Sequence, residues 1–106
     1  MTINEKLERF RATFEAEKLA GYEREHPGWQ FGARCTVQVG SKYARVDIGY
    51  GPSMSGAYMV ELATGDIYGI KGYGVIHRGH RFGNLDTIAE WDWSGYKAVK
   101  RAQVAA

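Results

Sequence analysis

Cysteine and proline are scarce in this sequence, and both scarcities restrict what it can encode. Cys35 is the only cysteine among 106 residues, so an internal disulfide is impossible and we expect a reducing compartment. With only two prolines, the fourteen glycines do not belong to a disordered Pro/Gly tract. Hydrophobic residues make up 44% of the chain, enough for a packed core, and we predict a single domain over residues 1–106.

Long hydrophobic runs and a strong charge of one sign are also missing. No apolar run approaches the roughly 20 residues that span a bilayer, so we expect no membrane partner. The N-terminal residues MTINEKLERF are charged where a secretion signal would be apolar, which favours a cytoplasmic protein. The net charge of +2 and the pI near 8.7 exclude an acidic mimic of nucleic acid. They also fall short of the pI above about 9 that is typical of dedicated nucleic-acid binders.

Helical periodicity is confined to residues 3–20. Apolar side chains recur there at spacings of three and four residues and share one face: Ile3, Leu7, Phe10 and Phe14. Thr2 and Glu5 predict a capping box at the start of the helix. Gly21 is a residue that commonly ends a helix, and we predict that it does so here. The alternative is an extension of the helix to Glu25, because Pro27 disfavours helical geometry at His26.

Four segments that alternate apolar and polar residues follow the helix. They cover residues 35–39, 44–48, 57–62 and 67–70. Gly40-Ser41 and Thr64-Gly65-Asp66 each predict a hairpin turn, whereas residues 49–56 have the composition of a loop. We therefore predict an α+β fold, in which the N-terminal helix packs on a four-stranded antiparallel meander sheet and an irregular C-terminal tail follows.

Positive charge concentrates in residues 71–83, KGYGVIHRGHRFG, which contain no acidic residue. Their four glycines predict a loop whose backbone can approach a partner closely. The candidate partner-binding residues are Lys71, Tyr73, His77, Arg78, His80 and Arg81. The next segment carries Asp86, Glu90 and Asp92, and its folding back to neutralise the basic loop is the main structural alternative.

No residue pattern in the sequence is a catalytic signature. His77 and His80 could serve as general acid and base of a small nuclease, but this hypothesis also requires a site that positions the phosphate of the substrate. A zinc site would need one or two further ligands at a diagnostic spacing, which the sequence lacks. Cys35 alternates with valines, a pattern typical of a small buried hydrophobe. We therefore predict no enzyme activity, no metal and no cofactor.

Aromatic residues are plentiful, and their role stays open at this stage. Five of the seven tyrosines lie between residues 43 and 73. They suit three functions: strand residues of a core, a protein interface, or a stacking surface for single-stranded nucleic acid. Trp91 and Trp93 could anchor an interface, but in so short a chain we expect them to close the open end of the core.

Two segments, GDIYGIKGYG and FGNLDTIAEWDWSGY, resemble a group of small proteins encoded by bacteriophages and prophages. The resemblance covers residues 56–96 and consists of a TG-x-IYG hairpin and an LDT-(I/V)-x-x-(W/F)-(D/N)-W-x-GY tail. It implies a phage gene product that acts in the bacterial host cytoplasm, and it names no catalytic residue. Small phage proteins often inhibit host defence or modify host machinery.

These observations together predict a non-enzymatic phage-type accessory or anti-defence protein. We expect it to bind a host protein or ribonucleoprotein through its basic, aromatic surface. A single-stranded nucleic-acid-binding domain is one alternative, and a histidine-dependent nuclease is another.

Overall fold

The computed structural model describes residues 1–50, 52–72 and 74–101, in which one long helix precedes seven strands. The elements are α1 Ile3–Glu25, β1 Arg34–Val39, β2 Tyr43–Tyr50, β3 Ser53–Glu61, β4 Asp66–Gly72, β5 Val75–Asn84, a 3-10 turn Ile88–Glu90, β6 Trp91–Asp92 and β7 Val99–Lys100. The first five strands form an antiparallel meander in the order β1-β2-β3-β4-β5, and β6 pairs with β7 in a separate small sheet. The predicted α+β fold with an antiparallel sheet is confirmed.

Helix α1 begins where the sequence predicts it and ends at the later of the two predicted positions. The Thr2 hydroxyl accepts a hydrogen bond from the Glu5 backbone N–H, and the Glu5 carboxylate accepts one from the Thr2 N–H, which confirms the capping box. The helix continues to Glu25 and is capped by His26. Pro27 explains this endpoint, because a proline disfavours helical geometry in the residue before it.

Gly21 lies inside α1, so its predicted role as the end of the helix is wrong. A Cβ at this position would lie 3.0 Å from the carbonyl oxygen of Ser94, so the glycine permits close packing of the tail on the helix. The predicted apolar face of the helix is buried at Leu7, Phe10 and Phe14. No helix in the described part of the chain combines the length and the apolar character that crossing a membrane requires.

The meander has five strands, and the predicted number of four is wrong. The basic segment expected to be a loop contains β5, which pairs with β4 from Gly72 opposite Val75 to Asp66 opposite Asn84. β5 is an edge strand that pairs with β4 on one side only. Charged side chains are common on such strands because they discourage pairing with another chain on the free side. The sequence analysis missed this strand because glycines and charges mask its alternation.

The predicted loop over residues 49–56 is a tight connection between two long strands. Tyr50 at the end of β2 pairs with Ser53 at the start of β3, and Gly49 pairs with Met54. A Cβ on Gly49 would lie 1.9 Å from the Ser53 carbonyl oxygen, so only glycine allows this approach. Gly49 therefore allows the two strands to pair closely, although the composition of residues 49–56 predicted a loop.

The C-terminal tail is more ordered than the irregular segment that the sequence predicts. A 3-10 turn leads into β6, and β6 pairs with β7 through Trp91 opposite Lys100. Trp93 is fully buried, and its indole N–H donates to the carbonyl oxygen of Ile88 at 2.9 Å. Trp91 is half-buried against the same core. The expected role of the tryptophans in closing the core is therefore confirmed.

Tyr58 lies at the centre of an aromatic core between α1 and the sheet. Its ring centroid is 5.3 Å from those of Phe14, Phe82 and Trp93. Its hydroxyl accepts a hydrogen bond from the Ala98 backbone N–H at 3.0 Å. Burial raises the pKa of Tyr58 to about 12. This tyrosine therefore belongs to the core, where it also ties the tail to β3.

Replacing Trp93 by alanine should destabilise the protein by about 3–5 kcal/mol, because the change empties a fully packed site. Urea unfolding followed by circular dichroism measures this change. The matched control is Tyr96→Ala, whose side chain is 93% exposed and whose loss should change stability by less than about 0.5 kcal/mol. Similar small effects in both variants would show that Trp93 does not carry the core.

Candidate functional site

A bulge in β5 determines which way its basic side chains face. Between two paired positions, β5 advances from His77 to Arg81 while β4 moves back by one residue, from Gly69 to Tyr68. The extra residues interrupt the regular alternation of faces. His77 and His80 would lie on opposite faces of a regular strand. Instead their ring centroids are 4.1 Å apart, on the side of the sheet that faces α1.

Arg78 and Arg81 lie on the outer face of the sheet, and both pair with carboxylates. The Arg78 guanidinium is 3.0 Å from the Glu61 carboxylate and also donates to the Tyr43 hydroxyl. The Arg81 guanidinium is 2.9 Å from the Asp66 carboxylate. The hydrogen bond from Arg78 is the main reason why the pKa of Glu61 is lowered. The positive charges of Arg78 and Arg81 are thus paired with carboxylates of the same protein.

The basic residues are neutralised from a direction that the sequence analysis did not anticipate. Of the acidic residues predicted to fold back, Asp86 pairs with Lys6 at 3.0 Å, and Asp92 accepts hydrogen bonds from Ser94. The carboxylates that pair with the arginines come from β3 and β4, neighbours in the sheet but distant in the sequence. The predicted folding back of the acidic segment onto the arginines is therefore wrong, and Glu61 and Asp66 pair with them instead.

One further candidate, Lys71, is exposed within β4, and Tyr73 lies outside the described residues. The structure therefore does not bring the five described candidates into one surface. It brings His77 and His80 together, separates them from Arg78 and Arg81, and leaves Lys71 at the strand end.

His77 and His80 line a cavity of about 510 Å³ between the C-terminal half of α1 and the sheet. This volume lies within the usual range for small-ligand sites. The basic side chains in its lining are Lys18, Lys97, His77 and His80. No lining residue in the described part of the chain is acidic. We call this space the cationic cavity.

The walls of the cationic cavity come from α1, from the strands β2 to β5 and from the C-terminal tail. The apolar base consists of core residues: Phe14, Ile48, Tyr58 and Phe82. Hydroxyl groups of tyrosines and serines at the ends of α1, β2 and β3 add hydrogen-bonding capacity. The tail supplies Tyr96 and Lys97. The composition suits a ligand that carries negative charge beside an apolar or aromatic part.

His77 senses the positive charge of its surroundings. Partial burial lowers its pKa, and repulsion from His80, Lys71 and Lys97 lowers it further. A bound anion would offset this repulsion and favour the protonated imidazole. The cavity is therefore arranged so that an anionic ligand relieves an unfavourable interaction that is present in the free protein.

Lys18 is held at the edge of the cationic cavity by the tail. Its ammonium group donates to the carbonyl oxygen of Gly95 at 2.8 Å. Burial lowers the pKa of Lys18, and the carboxylate of Glu25 acts in the opposite direction. Lys18 is thus positioned before any ligand arrives, with donor capacity left for an anion since an ammonium has three N–H groups.

The geometry is better suited to binding than to catalysis. With ring centroids 4.1 Å apart, the two histidines contact each other and leave no space for a phosphate between them, as an acid–base pair would need. Among the described residues, no cluster of three or more His, Cys, Asp or Glu side chains could hold a metal ion. Cys35 is buried, and burial raises its pKa to about 12, so it is an unactivated thiol.

Sequence reasoning missed the two lysines of the cavity, although one signal for Lys18 was present. Lys18 and Tyr22 follow Phe14 at intervals of four residues and continue the buried face of α1. A basic residue on the line of a buried face indicates a site within the fold. Lys97 gave no comparable signal, because its position depends on the packing of the tail.

Tyr43, Tyr50, Tyr58 and Tyr68, the four described tyrosines of this group, do not form one stacking surface. Tyr58 is in the core, and Tyr43 and Tyr68 lie beneath the Arg78 guanidinium on the outer face, at 5.6 and 5.3 Å from ring centroid to the guanidinium carbon. Tyr50 lines the cationic cavity. The structural interpretation therefore holds for most of them, and Tyr50 is the member with access to a ligand.

No protein-family model, curated protein or solved structure matches this chain. The resemblance of residues 56–96 to phage proteins therefore stays a prediction. The geometry and charge of the cationic cavity carry the functional argument.

An NMR titration of the imidazole signals should give His77 a pKa below its ordinary value of 6.5. The fold disfavours protonated His77. The free energy of unfolding should therefore be highest above pH 6.5 with respect to this group, and it should decrease as the pH falls through the lowered pKa. His80→Asn should move the His77 pKa upward by removing the neighbouring imidazole. A His77 pKa at or above 6.5 in the free protein would contradict the proposed crowding of positive charge.

Proposed function

We propose that this protein is a non-enzymatic binding protein that holds a phosphate-bearing partner in the cationic cavity. One observation carries the proposal: Lys18, Lys97, His77 and His80 converge on a cavity whose described lining contains no carboxylate. Charge-assisted hydrogen bonds from such groups to phosphate oxygens are among the stronger polar contacts available to proteins. Of the two partner classes expected from the sequence, this chemistry favours a ribonucleoprotein over a host protein without nucleic acid.

The biological setting is part of the same proposal. The resemblance of residues 56–96 to phage proteins supports an accessory or anti-defence role in the bacterial host cytoplasm. A protein that occupies the exposed nucleic acid of a host defence ribonucleoprotein would block it without chemistry of its own. Arg78 and Arg81 contribute less to this function than the sequence suggests, because Glu61 and Asp66 already pair with them.

A charge-matched pair of double variants tests the site. Lys18→Met with Lys97→Met removes two cations from the cavity, and Arg78→Met with Arg81→Met removes two from the outer face. The ligand is a labelled single-stranded RNA of about 12 nucleotides, within the usual site sizes, and fluorescence anisotropy measures its affinity. We expect a loss of about tenfold or more for the cavity variant and less than about threefold for the outer-face variant.

The salt dependence provides a second readout on the same variants. The slope of log affinity against log salt should become shallower by about 1.4 in the cavity variant, at about 0.7 per lost phosphate contact. Because Lys18 also bonds the tail, thermal unfolding and the single variant Lys97→Met control for misfolding. Equal losses in both double variants would mean nonspecific attraction and would overturn the proposed site.

The same reaction mixtures distinguish binding from the nuclease alternative. Gel analysis should show the RNA intact after incubation with the wild-type protein. Cleavage that disappears in both His77→Ala and His80→Ala would replace the binding proposal with a histidine-dependent nuclease.

A further inference from the structure

Four aromatic rings beside the cationic cavity form a cluster that the phosphate-binding proposal does not use. They are Tyr22, Trp29, Phe31 and Tyr50, and we call them the aromatic platform. We propose that the aromatic platform stacks unpaired bases of a single-stranded nucleic acid whose phosphates enter the cationic cavity. This inference rests on the proposed function and specifies its ligand, since a platform for bases requires a ligand that has them.

Trp29 organises the platform. Its ring centroid lies 5.0 Å from that of Tyr22, 5.2 Å from Phe31 and 5.1 Å from Tyr50. Its indole N–H donates to the carbonyl oxygen of Gly32 at 2.8 Å, which fixes the ring in the loop between α1 and β1. The rings are therefore arranged before binding, and little conformational entropy is lost when a base stacks on them.

Two members of the platform are open to solvent. Phe31 is 68% exposed and Tyr50 is 45% exposed. Neighbouring exposed aromatic residues on a small protein mark a binding surface more often than isolated ones do. The half-buried Trp29 beneath them supplies rigidity, and Phe31 and Tyr50 supply accessible ring surface.

Continuity with the cavity identifies the occupant. Tyr22 and Tyr50 belong to the platform and also line the cationic cavity, so one bound chain can touch both. Lys18 and Lys97 beside the rings favour a partner that carries negative charge next to flat apolar groups. A single-stranded nucleic acid presents phosphates and flat aromatic bases at alternating positions, which matches both parts.

One acidic residue opposes this ligand and provides a further test. Glu25 is exposed at the end of α1, and its carboxylate acts electrostatically on both Lys18 and Tyr22. Its negative charge weakens the attraction of a phosphate there. Glu25→Gln should therefore strengthen binding of any phosphate chain by a few-fold, whether or not the chain carries bases.

The decisive experiment compares two probes of equal charge on the full chain. One is a single-stranded DNA of about 12 nucleotides, and the other is the same backbone with every base removed. Phe31→Leu keeps an apolar side chain but removes the flat ring. We expect this variant to weaken binding of the base-bearing probe by about five- to tenfold, within the range for loss of one stacked base. Phe31→Leu should leave binding of the abasic probe unchanged. The control variant Phe31→Tyr, which keeps a flat ring, should bind the base-bearing probe as tightly as the wild-type protein does.

The possible outcomes separate this inference from the proposed function. If the wild-type protein binds both probes equally and Phe31→Leu changes neither affinity, the stacking platform is wrong while the cationic cavity stands. If neither probe binds the wild-type protein and the labelled single-stranded RNA does not bind either, both proposals fall. A third outcome is that neither probe binds, but the protein captures a host protein from a nuclease-treated lysate and Phe31→Leu abolishes this capture. That result would assign the aromatic platform to a protein partner and would overturn both proposals.

Discussion

The burial of Trp93 between α1 and the sheet is the contact on which the cavity depends. Its ring centroid lies 4.7 Å from that of Phe10 and 5.3 Å from that of Tyr58, and the ring is fully buried. The hydrogen bond from the Ala98 N–H to the Tyr58 hydroxyl fixes the tail at the residue that follows Lys97. Lys97 is thus placed at the cavity by its neighbours on both sides. A tail that detached would take away one wall and one of the two lysines.

The distribution of charge follows from the geometry of β5. An edge strand with a bulge sends two imidazoles toward α1 and two guanidinium groups toward the outer face. The outer guanidinium groups meet carboxylates from β3 and β4, whereas the described lining of the cavity has none. A segment with one uniform sign of charge in the sequence therefore becomes one neutralised surface and one cavity that attracts anions.

The elements that sequence reasoning predicted correctly are those set by local interactions. The capping box at Thr2 and the two predicted hairpins, β1-β2 and β3-β4, depend on residues within a few positions of one another. The strand β5 escaped prediction because its regularity is broken by the bulge and by Gly79 and Gly83. Lys97 and the platform could not be predicted either, because they are assembled by contacts between distant segments. Of the four basic residues of the cavity, His77 and His80 were among the predicted binding residues, whereas Lys18 and Lys97 were not.

The chemical-shift map of the full chain during titration with a short oligothymidine tests the central claim most directly. It reports every backbone amide separately, so it distinguishes the two faces of the sheet in one experiment. If the cationic cavity holds the phosphates, the largest changes will fall on Lys18, His77, His80 and Lys97, and the His77 pKa will rise on binding. Changes concentrated at Tyr43, Glu61 and Asp66 on the outer face, or an unchanged His77 pKa at saturation, would contradict the account.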